Sequence, residues 1–253
     1  MKKLTMKKLT CIVLCLACLS LTAGRKRERI ETQQANAVLQ IGFNEGQGAK
    51  DWSGANNAAI ILGATHKAGG IGPYYDFDGN DVIKYASTIT PVGKKTVIVW
   101  ARVDTYPDIQ PQLLGNALLT SHIGLRFGVY DERPTYTNHI AIYMGNGTGS
   151  FIASGFVPLV VRPSEWQCWV LTTAGTTDAN SWQVYLDGTL IGADTPTATE
   201  GTPTYNLHIG QRADEAAGGW LDGGVDEIVI LNSVLTPAEI RDRYEQGKAN
   251  ANP

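Results

Sequence analysis

Cysteine is nearly absent from the body of this sequence. Of four cysteines in 253 residues, Cys11, Cys15 and Cys18 fall within the first 24 positions and only Cys168 follows them. One cysteine excludes an intrachain disulfide. A chain of this size must then be held by a large core, with or without a metal. Cys168 sits between Trp166 and Trp169 in an apolar run and reads as a small buried hydrophobe. Charge is scarce too, at 18% Asp, Glu, Lys and Arg against roughly 25% in an average domain. Beyond residue 24, 17 basic residues face 24 acidic ones, a net of −7. That balance argues against nucleic acid, which is bound through a basic patch. The four histidines (His66, His122, His139, His208) show no close pairing and no H-E-x-x-H. There is no G-x-S-x-G elbow and no phosphate loop.

The start of the chain reads as an export signal. "MKKLTMKKLT" carries four lysines, "CIVLCLACLSL" is an apolar run of h-region length, and "TAG" offers small residues for cleavage near Gly24. The run falls short of the about 20 apolar residues that span a membrane, so no span is expected in the mature chain. Residues 1–24 are therefore assigned as a signal peptide, and the protein as secreted or displayed at the cell surface. The alternative is a lipoprotein anchored at Cys18, although Cys15 and Leu16 fit the positions before a lipidated cysteine poorly. The basic "RKRER" resists translocation, and residues 25–35 are taken as a polar tail outside the fold.

Glycine, at 28 residues, and short apolar runs recurring every 8 to 15 positions fill what remains. That spacing predicts an all-β chain in one domain over 36–249, a sandwich or a barrel, with one short C-terminal helix. The hairpin "WQVYLDGTLIGA" is the plainest local signal. Asp187-Gly188 can both take positive φ in a type I′ turn, and the flanking residues alternate. "TPAE" sets the helix start, with Thr236 as N-cap, Pro237 at the first position and Glu239 closing the capping box. About three turns are expected, ending at Gly247. Trp100, Trp166, Trp169 and Trp182 are assigned to the core. "NGT" at 146–148 matches a glycosylation sequon and is read as turn chemistry.

Three stretches carry a family resemblance: "LQIGFNEGQGAKDWSGANNAA" with "YYDFDGNDVIKYA"; "KKTVIVWARV" with "WQCWVLTTAG" and "WQVYLDGTLIG"; and "LHIGQRADEAAGGWLDGGVDEIVILNSVLTPAEIRDRYEQG". Together they resemble the laminin-G-like branch of the concanavalin A-like lectin/glucanase jelly rolls, over nearly all of the mature chain. The resemblance implies two packed antiparallel sheets, one of them concave.

The acids Asp222, Asp226 and Glu227 suggest a glycosidase, which needs two carboxyl groups about 5–10 Å apart. In a regular strand Asp226 and Glu227 point to opposite faces, and Asp222 lies about 13 Å from Asp226. The Glu-x-Asp-x-Glu strand of the family's endoglucanases is missing. No catalytic residue is assigned, and the protein is read as not an enzyme. The resemblance also implies a structural calcium, Ca2+, held at positions matching Asn44, Gly79 and Asp226, though Asn44 stands where an acid is expected. Alternatively, Asp226 accepts backbone N–H bonds and holds no ion. For ligand binding, strand alternation gathers Arg126, His139 and Tyr143 on one polar, aromatic face, with Trp52 and Trp220 as rim aromatics. The expected function is non-catalytic recognition of carbohydrate or a cell-surface glycan, or second of protein. The alternatives are a cell-surface structural or interaction domain that binds no sugar, and a glycan-cleaving enzyme with an unrecognised site.

Overall fold

The computed structural model describes residues 36–250 apart from 44–47, 70, 87, 106–109, 118–122, 133–135, 148–150, 158–160 and 214–217. The described residues from Ala37 onward form one compact unit. The signal segment, the polar tail and Cys18 lie outside the described residues, as does Asn44.

Among the described residues, fifteen strands and one C-terminal helix follow in order. They are β1 (Ala37–Ile41), β2 (Ala59–Leu62), β3 (Thr65–Lys67), β4 (Tyr74–Asp78), β5 (Val82–Tyr85), β6 (Lys95–Thr105), β7 (Gln112–Gly115) and β8 (Ile123–Glu132). Then come β9 (Tyr136–Asn146), β10 (Phe151–Val157), β11 (Gln167–Thr173), β12 (Trp182–Leu186), β13 (Thr189–Asp194), β14 (His208–Ile209), β15 (Asp222–Leu231) and α1 (Pro237–Asn250). Sheet I runs β13-β12-β11-β6-β15-β4-β3, with β1 alongside the second half of β15. Sheet II runs β10-β9-β8-β7-β14-β5-β2. All pairs are antiparallel, as the alternating strands predict. Among the described residues no helix is long and apolar enough to cross a membrane.

The core lies between the sheets. Alternate residues of the central strands fill it: Val97, Val99, Ala101 and Val103 from β6, Leu125, Phe127 and Val129 from β8, and Ile140, Ile142 and Met144 from β9. Trp169 and Trp182 join them. Ile98 and Trp100, which intervene in β6, are apolar as well, because α1 covers that part of the face. Ile98, Trp100, Cys168, Val170, Tyr185, Val229, Leu231 and Ile240 form a second cluster there. A strand covered on both faces loses its polar alternation. Burial pushes the Cys168 thiol pKa well up, so it is an inert hydrophobe.

The local signals hold. Asp187 and Gly188 have φ of 50° and 74°, as the type I′ turn requires. At α1, the Thr236 N–H donates to Glu239 Oε2 at 2.8 Å and the Glu239 N–H to Thr236 Oγ1 at 3.3 Å, closing the capping box. Two expectations fail. Gly247 does not end the helix, which runs on to Asn250. It is there for packing, since a Cβ would stand 2.6 Å from Trp100 Cζ2. Trp166 is not core. It is half-buried on the outer face of sheet I, edge-on to Tyr74 at 5.1 Å, and it covers Gly224.

Candidate functional site

The registers of sheet II align one rung across all seven strands. Ile60 faces Lys84, Lys84 faces His208, His208 faces Gly115, Gly115 faces Arg126, Arg126 faces Tyr143, and Tyr143 faces Ser154. Their neighbours Ile83, Ile209, Leu125 and Ile142 point into the core, so the rung belongs to the outer face. Arg126 and Tyr143 meet as expected, with the guanidinium 5.2 Å from the ring centre, within cation–π range. His139 shares the face but lies four residues along β9 from Tyr143, about 13 Å away.

Sequence reasoning missed two glutamines that complete this cluster. Arg126 Nη2 donates to Gln110 Oε1 at 2.6 Å, and Gln112 Nε2 donates to the Gln110 carbonyl at 3.0 Å. Gln112 Oε1 is buried and accepts no hydrogen bond. Only glycine fits at 128 beside them, because a Cβ there would stand 2.2 Å from the Pro111 carbonyl oxygen. The bare backbone lets the Gln110–Gln112 segment lie against β8. The expected open surface is corrected in one respect: Arg126, His139 and Tyr143 are 2%, 8% and 7% exposed. They form a buried polar layer rather than a solvated one.

The two rim aromatics part company. Trp220 belongs to the segment that continues the β7 ladder, where the Gln112 N–H donates to the Gly219 carbonyl at 3.0 Å and the Leu221 N–H to Gly210 at 2.9 Å. It is half-buried next to the glutamine cluster's own strand. Trp52 is elsewhere. Its N–H donates to the Gln40 carbonyl of β1 at 2.7 Å, which ties it to sheet I, and its exposed ring carries the Lys50 ammonium at 4.1 Å. The adjacent Asp51 carboxylate accepts from the N–H groups of Gln40, Ser53 and Asn57. These bonds hold its pKa below the usual range against the opposing effect of burial. Trp52 therefore does not rim the Arg126 face.

The acidic stretch differs from its sequence expectation. Val225 pairs with Ala101 and Ile228 with Val99, so Asp226 and Glu227 together oppose Trp100 in a β-bulge. Both carboxylates leave on the outer face of sheet I instead of splitting. Asp226 turns toward Gly72, where a Cβ would stand 3.2 Å from Oδ2. Glu227 turns toward α1, 3.8 Å from Arg243 Nη1. Burial, with the Glu227 charge added, pushes the Asp226 pKa up to about 7. The calcium set does not converge. The Gly79 N–H donates to the Leu221 carbonyl at 3.0 Å, five residues from Asp226 along β15, or about 15 Å. Gly79 and Asp226 cannot share one ion, and Asn44 lies outside the described residues. Among the described residues no group of three or more His, Cys, Asp or Glu is placed to hold a metal.

A family model described as the concanavalin A-like lectin/glucanases superfamily matches residues 77–241. The chain belongs to this superfamily. No curated protein matches it in sequence. Its fold is similar to the binding domain of Paraclostridial Mosquitocidal Protein 1, with a TM-score of 0.67, 14% identity, and 85% of this chain and 53% of that one covered. The botulinum neurotoxin serotype G binding domain gives a TM-score of 0.65 at 12% identity, over 83% of this chain and 51% of that one. The chain thus spans about half the length of these toxin domains. Domain 4 of AbnA, an extracellular GH43 arabinanase from Geobacillus stearothermophilus solved with arabinotriose, gives a TM-score of 0.62 at 15% identity, over 82% of this chain and 98% of that one. At such identities the likeness is one of fold.

Proposed function

We propose that this protein is an exported, non-catalytic recognition domain that binds carbohydrate on the outer face of sheet II. The observation that carries the proposal is Gln112 Oε1. It is a buried acceptor with no partner, joined through Gln110 to the Arg126–Tyr143 pair. An unmet buried acceptor costs roughly 1–3 kcal/mol, and a sugar hydroxyl is a donor that relieves it. Arg126 and Tyr143, buried and stacked on each other, hold the glutamines in place beneath the sugar rather than stacking on it. Trp220 extends this surface from the β7 side. Domain 4 of AbnA, solved with arabinotriose, supports a saccharide as the ligand class. Export follows from the leader at 1–24, with cleavage near Gly24 and lipidation at Cys18 as the other route. Mass measurement of the mature N-terminus separates the two.

The test is a glycan array that includes arabino-oligosaccharides, run on wild type and on Gln112→Leu. Wild type binds a defined glycan set, and the variant loses at least tenfold in affinity while its melting temperature holds or rises, because the unmet acceptor is gone. A wild-type protein that binds no glycan sinks the proposal.

A further inference from the structure

Among the described residues, half of the exposed large hydrophobics lie in one segment of 11 residues: Trp52, Ile60, Ile61 and Leu62, at 40%, 58%, 37% and 47% exposure. The last three are consecutive on β2, the end strand of sheet II. Edge strands in native proteins are ordinarily blunted by charge, proline or a bulge. None of these is present here. Residues 52–66 carry no Asp, Glu, Lys, Arg or Pro, and the β2–β5 register runs from Ala59 to Leu62 without a shift. Among the described residues no strand pairs with the far edge of β2.

We propose that two copies of this chain pair through β2, antiparallel about a two-fold axis normal to the sheet. Ile61 then faces its own copy and Ile60 faces Leu62 of the partner copy. Charge favours a second copy as the occupant. The protein is acidic overall, yet this 15-residue stretch is uncharged, so a two-fold contact opposes no like charges within it. The nearest flanking cation of β5, Lys84, would lie three strand spacings from its counterpart, about 14 Å. That is beyond the screening length of about 8–10 Å in physiological salt. The apolar side chains on both faces of β2 become mutually covered.

This arrangement bears on recognition. The seven strands of each sheet II would join into one sheet, with both Arg126–Tyr143 pairs on the same side. Nine strand spacings separate the two β8 strands, about 43 Å. The dimer would present two sites in one direction, suited to a glycan-coated surface rather than to a free oligosaccharide. This last step rests on the proposed sugar binding, whereas the pairing itself does not.

The experiment is sedimentation equilibrium of the purified chain without sugar, at about 100 μM, where a dimer of micromolar affinity is nearly complete. Wild type is expected at twice the chain mass. Ile60→Lys/Leu62→Lys is expected at the chain mass with an unchanged melting temperature, and Leu62→Lys alone covers failure of the double variant to fold. A monomeric wild type, or charged variants that remain dimeric, overturns the pairing. Binding to glycan-coated and free-glycan probes then separates the two ideas. If no glycan binds but the dimer forms, the sugar reading falls and the pairing stands. If both hold, the monomeric variant keeps its affinity for free oligosaccharide and loses roughly 10²-fold or more on the coated surface.

Discussion

Lys95 and Glu200 form the most deeply buried ion pair among the described residues, with side chains 0% and 1% exposed. Lys95 opens β6 and its ammonium donates to Glu200 Oε2, which also accepts the Gly93 N–H at 3.2 Å. Glu200 Oε1 has no partner. Next along the chain, the Gly201 N–H reaches the Gly145 carbonyl at the end of β9 at 3.3 Å, so the pair anchors a segment that bridges the two sheets. Burial lowers the Lys95 pKa and raises that of Glu200, and the attraction between them opposes both shifts. Lys95→Met leaves the carboxylate with one backbone donor and no countercharge. Removing one member of a buried pair costs about 3–5 kcal/mol, and at about 2–4 °C per kcal/mol in a domain of this size the melting temperature falls by about 6–20 °C. Lys95→Met/Glu200→Leu removes both charges and should recover most of the loss, ending within about 1 kcal/mol of wild type. The assay is urea unfolding of the four members of the cycle, followed by tryptophan fluorescence and circular dichroism. A Lys95→Met loss below about 1 kcal/mol, or single losses that simply add in the double variant, would refute the argument that desolvation governs this pair.

The helix glycine gives an expectation opposite to helix propensity. Gly247→Ala gains about 1 kcal/mol of propensity, but its Cβ would stand 2.6 Å from Trp100 Cζ2. Overpacking of about 1–3 kcal/mol wins, and thermal melts should show net destabilisation; a stabilised variant contradicts the packing role. Asp226 gives a pH dependence. Its folded pKa of about 7 lies above the ordinary carboxylate value of 3.8, so the folded state holds the proton more tightly. Its contribution is fully present below about pH 4 and lost as pH rises through about 7, by up to about 4 kcal/mol. Asp226→Asn should therefore be the more stable protein at pH 8, with the gap closing toward pH 4 in paired urea titrations. A constant gap across that range refutes the assignment. A chelator should leave the wild-type melting temperature unchanged, because Gly79 and Asp226 do not meet; a drop of several degrees would put an ion on Asp226 with other donors.

Period-two alternation made much of the sandwich legible. In β8 and β9 it separates the core residues Leu125, Phe127, Ile140 and Ile142 from the outward Arg126, His139 and Tyr143, because each strand has one face in the core. The same rule places Trp166 and Trp169, three residues apart, on opposite faces, and only Trp169 is core. Pairing between distant segments is not written in local pattern. Nothing near His208 announces that two residues will sit as β14 between β5 and β7, which is what carries the rung from Ile60 to Tyr143. The site's glutamines were hidden for a related reason. Gln110 and Gln112 have no motif of their own, and they matter only because a bare Gly128 admits their backbone. The nearest local clue was the glycine inside the apolar alternation of β8, a mark of close backbone approach.

The bulge at Asp226–Glu227 shows where alternation fails and what that does to the chemistry. Counting by twos sends these carboxylates to opposite faces, yet Val225 and Ile228 are both core residues three positions apart, and only an extra residue reconciles the two. The argument that faces alone forbid a carboxylate pair therefore falls. The argument against catalysis moves to what surrounds the acids. Glu227 is turned to Arg243 of α1, and Asp226 is buried against the Gly72 segment. A glycosidase needs its two carboxyls to flank a bound sugar ring, with one of them kept protonated. Asp226 meets the protonation requirement and fails the access requirement, because the helix and the loop occupy the space where a ring would sit. The raised pKa is here a consequence of burial against the Gly72 segment, with the Glu227 charge added. On the opposite sheet, Gln112 beside the Arg126 rung keeps a buried acceptor to fill, as Glu200 does.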